Sequence, residues 1–419
     1  MFDELTARIA GRFSRVEPRR RAEKLLLGLV SELPRKNCWT IAEHVGDATP
    51  DGLQHLLARA VWDADAVRDD LRDYVCDHLG SQNAVLIVDE TGDLKKGTRT
   101  VGVQRQYTGT AGRIENSQVA VYLTYATTAG HAFIDRALYL PKSWTSDRER
   151  CAAAGISENM QFATKPALAT TMITRALDAG VDAPWVTGDE VYGADPTLRA
   201  ELERRGIGYV LAIGCDRRVT TGAGTFRPDE LATRLPKHVW QRLSAGTGAK
   251  GHRFYDWALV DIDQDAEVGG HRWLLIRRNH RTRELAFYRC YAPTPVALPV
   301  LVRVTGTRWR VEESFQTGKG LAGLDQHQVR RWLSWHRWTV LAMLAHAFLT
   351  VLAATEPTQT PTSTRWISLT CNEVQHLFAT ITTTLITGTT HHLRFSAWRR
   401  QHQHRARQAH YQRQSTREP

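Results

Sequence analysis

The stretch Asn83–Asp89, NAVLIVD, decides how this chain folds. A short apolar, β-branched run of this kind predicts a strand buried on both faces, as in a parallel sheet. It ends in a carboxylate, and an unpaired charge is too costly to leave in a core. Asp89 is therefore expected at the strand's C-terminal end, facing out of the interior. A second short strand, Trp185-Val186-Thr187, ends the same way at Gly188-Asp189. Parallel strands bring such ends side by side, so Asp89 and Asp189 can share a cation.

Working outward, Val101 to Tyr107 and Gln118 to Thr127 read as two more strands separated by the glycine-rich turn Thr108 to Gly112. Pro166 to Ala179 reads as a helix. Asp195-Pro196 caps another that closes at Gly206, and Gly208 to Ile213 is a fifth strand. Three strands, helix, strand, helix, strand is the order of an RNase H-like core. The segment 215–299 interrupts it with strand-like runs at Phe254 to Ile262, Arg272 to Arg278 and Glu284 to Tyr291, a β-rich insertion. The expected class is α/β, a mixed-sheet RNase H-like core holding that insertion. An N-terminal helical domain and a basic helical C-terminal tail flank it. The expected boundaries are 1–80 for the helical domain, 81–214 and 300–355 for the two parts of the core, and 356–419 for a linker and the basic region. In the helical domain, a helix from Thr40 to Val45 closing at Gly46, then Thr49-Pro50 opening the next, gives a helix-turn-helix outline.

A third acid lies in Arg308–Lys319, RWRVEESFQTGK, on a helix predicted from Val304 to Lys319. At about 100° per residue, eleven positions turn about 1100°, close to three full turns. Arg308, Glu312 and Lys319 thus share one stripe, a carboxylate between two cations, while Trp309 and Phe315 point elsewhere and can pack. Glu313 competes with Glu312 but sits about 100° away, so only one can face the same site. Glu90, Asp93 and Glu190 are read as supporting or surface acids. Two-metal phosphodiester chemistry needs carboxylates converging on ions roughly 3.5–4 Å apart. Mg²⁺, a hard cation that keeps several waters, needs only a few of them. Two Mg²⁺ ions, with Mn²⁺ able to substitute, are expected on Asp89, Asp189 and Glu312.

The chain of 419 residues carries a net charge of +11, which favours a polyanionic partner. The stretch His391 to Pro419 concentrates seven Arg and five His against one Glu. The six cysteines are scattered without a close pair, which argues against a zinc motif or a disulfide framework. The first twenty residues hold no apolar run of the signal type. The apolar run Trp338 to Ala354 is interrupted by His346 and falls short of the roughly 20 residues of a spanning helix. A buried helix, no membrane and a cytoplasmic, nucleoid-associated location are expected. No heptad pattern announces a constitutive dimer.

The chain resembles the DDE transposases of bacterial insertion sequences, in the branch with a Tyr-x2-Arg-x3-Glu-x6-Lys signature. Arg308, Glu312 and Lys319 match that spacing, whereas the tyrosine position holds Thr305. VDETGDLKKGTRTVGVQRQYTG around Asp89 and TGDEVYG around Asp189 look like the family's first and second aspartate segments. The resemblance implies catalytic roles for Asp89, Asp189 and Glu312. The expected reaction is nicking at element ends, then attack of the freed 3′-OH on target DNA. It implies phosphate-clamping roles for Arg308 and Lys319, and double-stranded DNA as partner, bridged by a homodimer. Lys95, Lys96, Arg105, Arg399 and Arg400 are further expected DNA contacts. Trp332, Trp335 and Trp338 read more readily as core. Two rival readings are a catalytically silent DNA-binding regulator and an RNase H-like nuclease.

Overall fold

The computed structural model describes residues 1–248, 251–263, 269–355, 369–383 and 389–415. They form two compact units, one of residues 1–67 with 317–419 and one of residues 68–316. The predicted linker from 356 to 364 lies outside the described residues.

The second unit is built on one ten-stranded mixed sheet. Its strands are β1 (Val85–Leu94), β2 (Gln104–Thr108), β3 (Arg113–Ala126), β4 (His131–Leu138), β5 (Trp185–Gly188), β6 (Gly208–Ile213), β9 (Gln241–Gly248), β10 (Gly251–Asp261), β11 (His271–Arg278) and β12 (Leu285–Ala292). A separate hairpin pairs β7 (Val219–Thr221) with β8 (Gly224–Phe226). The order is β2-β3-β1-β5-β6-β12-β11-β10-β9, with β4 on the other side of β3. The strands β1, β5 and β6 are parallel. Val85–Asp89 of β1, the whole of β5 and all but one residue of β6 are buried, as their apolar sequences require. With β3 and β4 antiparallel beside β1, the order β4-β3-β1-β5-β6 is RNase H-like.

Two sequence-based assignments change here. The second core strand is β3, which takes in the predicted run from Gln118 as far as Ala126 and starts five residues earlier, and the third is β4; the run at 101–107 is not a core strand. β4 was not predicted. It follows β3 through a tight turn closed by Thr127 N–H donating to the Gly130 carbonyl at 2.9 Å. The residues read as an early strand contribute only β2, a short edge arm pairing with the start of β3. β1 also runs past Asp89 to Leu94, because the long β3 keeps pairing with it. What ends near Asp89 is the parallel pairing to β5, whose last register pair is Val88 with Gly188.

The β-rich insertion forms no separate layer. β12 pairs with β6, and β11, β10 and β9 follow outward. The helix predicted as continuous from Val304 is two helices, Leu298–Thr307 and Trp309–Ala322, with Arg308 at the junction. Bonds of the i to i+3 type, Arg308 N–H to Thr305 and Val311 N–H to Arg308, mark the break. Gly306 sits just before it, where an added Cβ would lie 1.9 Å from the Ala245 carbonyl oxygen of β9.

The first unit is helical. Its core element is Trp332–Ala354, buried almost throughout, with Trp335 and Trp338 each 1% exposed. The helix is long and apolar enough to cross a membrane, yet 83% of that window is buried, which marks the core of a folded unit. Arg337 of this helix donates to the carbonyls of Leu56 and Trp62. The helices Cys38–His44 and Asp51–Ala58 reproduce the predicted pair. Asn37 caps the first through a reciprocal bond with Thr40, and Gly46, at φ +80°, makes the turn between them.

Candidate active site

Asp89 and Asp189 meet where β1 and β5 part. Asp189 follows β5 and accepts from Val191 N–H at 2.9 Å, capping the short turn Glu190–Gly193. Gly193 lets that turn lie on β6, since an added Cβ would sit 1.8 Å from the Ala212 carbonyl oxygen. Carboxylate oxygens of Asp89, Glu90 and Asp189 all lie within 4.8 Å of one another.

Glu90 belongs to this group, contrary to its reading as a supporting or surface acid. Alternation along a strand argues that neighbours face apart. Here, however, Glu90 is turned by partners that no local pattern reveals. Lys165 Nζ donates to its Oε1 at 2.6 Å and the Tyr192 hydroxyl to its Oε2 at 2.6 Å. The donors lie 75 and 102 residues downstream.

Asp89 is 7% exposed. Burial pushes its carboxyl up to about 7, Arg308 opposes that, and the charges of Asp189, Glu90 and Glu312 add to it. Asp189 is also raised, first by burial and then by Glu90. Arg308 Nη1 donates to Asp89 Oδ2 at 2.9 Å. Crowded carboxylates held above their ordinary range by burial and mutual repulsion leave a site short of positive charge. Hard oxygen donors at this spacing suit a divalent cation such as Mg²⁺ or Mn²⁺.

Glu312 is exposed and acts on Asp89 through its charge, outside the 4.8 Å group. Glu313 is turned away, bonding to His131 at 3.3 Å and Arg310 at 2.8 Å. Those partners hold its carboxyl down at about 2. Phe315 packs against Tyr122 and Phe133 as expected, but Trp309 is 50% exposed. Thr305 is buried and donates its hydroxyl to the Leu301 carbonyl at 2.9 Å.

The remaining predicted residues are dispersed. Lys95 is half-buried with Nζ 4.0 Å from Asp93, and Lys96 and Arg105 are exposed. Lys319 is half-buried on the part of its helix that belongs to the first unit. Arg399, expected to contact DNA, pairs with Glu43 within the first unit, whereas Arg400 is exposed. A groove of about 900 Å³ opens beside Asp189 and Arg308, walled by Arg253, Arg277, Tyr255 and Trp309. Arg277 lies over Tyr255 at 4.7 Å and Arg253 over Trp309 at 5.9 Å. These residues come from the insertion and the helix break, and spacing alone did not single them out.

Buried Asp89 and half-buried Asp189, at neighbouring parallel strand ends, form with Glu90 a group that could hold a divalent ion, and residues 8–242 match the family described as DDE superfamily endonuclease. The chain belongs to that family. It is 32% identical over 191 residues to a probable transposase for insertion sequence element IS701 from Microchaete diplosiphon, over 45% of this chain and 47% of that protein. The chain thus spans about half the length of that relative. A structure of piggyBac transposase in a synaptic complex with hairpin DNA is similar at a TM-score of 0.48 and 9% identity, covering 89% of this chain and 72% of that one. The family match includes Asp89 and Asp189 and stops before Glu312.

Proposed function

We propose that this chain is an insertion-sequence transposase that nicks DNA at the element's ends and transfers the freed 3′-OH into target DNA. The observation that carries this reading is the convergence of Asp89 and Asp189 at the ends of two parallel strands, oxygens within 4.8 Å together with Glu90. Asp89 and Asp189 would hold two Mg²⁺ ions, or Mn²⁺, with Glu312 completing the second position. When bound, such ions activate the attacking oxygen and stabilise the leaving one.

The protein's own groups supply position. Arg308 and Lys319 are proposed to clamp backbone phosphates, which orients a strand without reading its sequence. The guanidinium and ring faces of Arg253, Arg277 and Trp309 suit a DNA strand running along the groove. Lys95, Lys96, Arg105 and Arg400 extend the basic surface, and the helical residues 1–80 are proposed to bind the element's ends. The partner is double-stranded DNA. Joining two ends to one target calls for a homodimer assembled on DNA, in the cytoplasm at the nucleoid.

The test is metal-dependent strand transfer, using end-sequence oligonucleotides with a free 3′-OH and a plasmid target. Joined product in Mg²⁺ or Mn²⁺ supports a transposase. Cleavage without joining would make the chain a nuclease, and end binding without either would make it a regulator. Mass measurement on end-sequence duplex should give two chains per paired-end complex. A single chain competent for strand transfer would refute the dimer.

A further inference from the structure

Glu312 has no hydrogen bond or ion pair of its own among the described residues, so its direction depends on how the helix Trp309–Ala322 is held. The two residues after it are grasped by one side chain. His131, the first residue of β4, places Nδ1 2.7 Å from Ser314 Oγ and Nε2 3.3 Å from Glu313 Oε2. Each ring nitrogen thus has one partner, Nδ1 the Ser314 hydroxyl and Nε2 the Glu313 carboxylate. Ser314 is fully buried, so this Ser-His-Glu arrangement offers no nucleophile to a substrate. It is a fastening.

The next residue, Phe315, lies on Tyr122 at 5.6 Å between ring centroids. Tyr122 is the register partner of Asp89 across β3 and β1. Glu313, Ser314 and Phe315 are thus tied to the strands beside Asp89, and together they fix the rotation of the turn that presents Glu312. The clasp also explains why Glu312, not Glu313, is left free.

We infer that His131 is a positioning residue for Glu312, setting the helix rotation that aims this carboxylate at the Asp89–Asp189 site. The inference rests on the proposed role of Glu312. A rotation of about 10° at the ~6 Å radius of a glutamate carboxylate displaces its oxygens by about 1 Å. A misplacement of that size costs on the order of 100-fold in rate.

The experiment uses the full chain with Mn²⁺ alone, followed by spin resonance, and Mn²⁺-dependent nicking of a supercoiled plasmid carrying the coding gene with its native flanks. His131→Ala and Ser314→Ala should keep cooperative melting and plasmid affinity while nicking falls on the order of 100-fold at saturating DNA. Mn²⁺ affinity should fall only at the site that Glu312→Gln weakens, and His131→Ala should add nothing further in the Glu312→Gln background. His131→Asn, whose amide reaches Ser314 from near the Nδ1 position, should recover to within about tenfold of the parent rate. Should His131→Ala fail to fold, His131→Asn and Ser314→Ala still carry the comparison.

Parent-level nicking in these variants, or losses of Mn²⁺ affinity that add to those of Glu312→Gln, would overturn the inference and leave the role of Glu312 standing. Parent-level nicking by Glu312→Gln itself would overturn that role, and the inference with it.

Discussion

The Arg308 guanidinium lies 2.9 Å from Oδ2 of Asp89, so the residue proposed to hold phosphate also pairs with a metal-binding candidate. Arg308 is 28% exposed and Asp89 10% at the side chain, which leaves the cation on the solvent side of the acid. This pairing works against the burial and neighbouring acids that still leave the Asp89 carboxyl up at about 7. Mn²⁺ binding requires the ionised carboxylate, so affinity should fall as pH drops through about 7. Replacing Arg308 by Ala removes the lowering influence and should move that midpoint upward. A Mn²⁺ titration at several pH values checks it, and an unmoved or lowered midpoint would refute the coupling.

The same raised carboxyl has a consequence for stability. An acid with folded-state pKa above its ordinary 3.8 destabilises the fold fully above about 7. The penalty is relieved as pH falls from there toward 3.8, because the folded state then binds more protons than the unfolded one. Asp89→Asn, which mimics the neutral acid, should melt higher than the parent at pH 8. The difference should close near pH 4. A gap that widens on acidification would contradict the sign.

Asp89→Asn, Asp189→Asn and Glu312→Gln should each abolish cleavage while DNA affinity stays within about threefold, since these acids contribute charge at the reacting phosphate and little to binding. Glu313→Gln should be milder, within about tenfold in rate, because an amide oxygen can still accept from His131 and Arg310. Gel-based cleavage and binding assays on the four variants decide it. The reverse ranking of Glu312 and Glu313 would sink the assignment of the third acid.

The basic C-terminal helix carries two separable sets of residues. Trp398 packs on Trp39 at 4.9 Å and Arg399 pairs with Glu43, so these residues fasten the helix Thr389–Ser415 to Cys38–His44 in the first unit. Trp398→Ala should cost ~1–2 kcal/mol of stability, read by chemical denaturation. Arg400 and Arg405 are exposed. Changing both to Gln should leave stability unchanged and weaken binding to every DNA sequence alike. The slope of log affinity against log salt should flatten by about one per lost phosphate contact. Loss confined to end sequences would make this helix a sequence reader.

Lys36 is buried in the first unit, its ammonium donating to the carbonyls of Leu29 and Leu321. Burial lowers its pKa from 10.5 to about 7. The cost of burying the charge is complete below 7 and fades as pH rises toward 10.5, so this group makes the fold more stable with rising pH across that window. Lys36→Met should remove that slope. Equal pH dependence in parent and variant between pH 7 and 10 would show that the lysine does not titrate there.

Much of the site was legible in the sequence because its signals are local. NAVLIVD and the run Trp185–Asp189 are short buried strands ending in acids, and side-by-side parallel strands then leave Asp89 and Asp189 little choice but to meet. The spacing of Arg308 and Glu312 assumed one continuous helix, and although that helix breaks at Arg308, both residues act electrostatically on Asp89. Tertiary structure decided what depends on partners distant in the chain. Glu90 joins the aspartates because Lys165 and Tyr192 reach it. Glu313 is excluded because His131 and Arg310 take it. The helix breaks at Arg308 next to Gly306, which approaches β9 closely. β4 escaped notice because a half-buried antiparallel strand is recognised by the neighbour it pairs with more than by its own composition. Periodicity reports which face of an element is apolar. It cannot report which distant donor will turn a particular carboxylate, since that requires the three-dimensional path of the whole sheet.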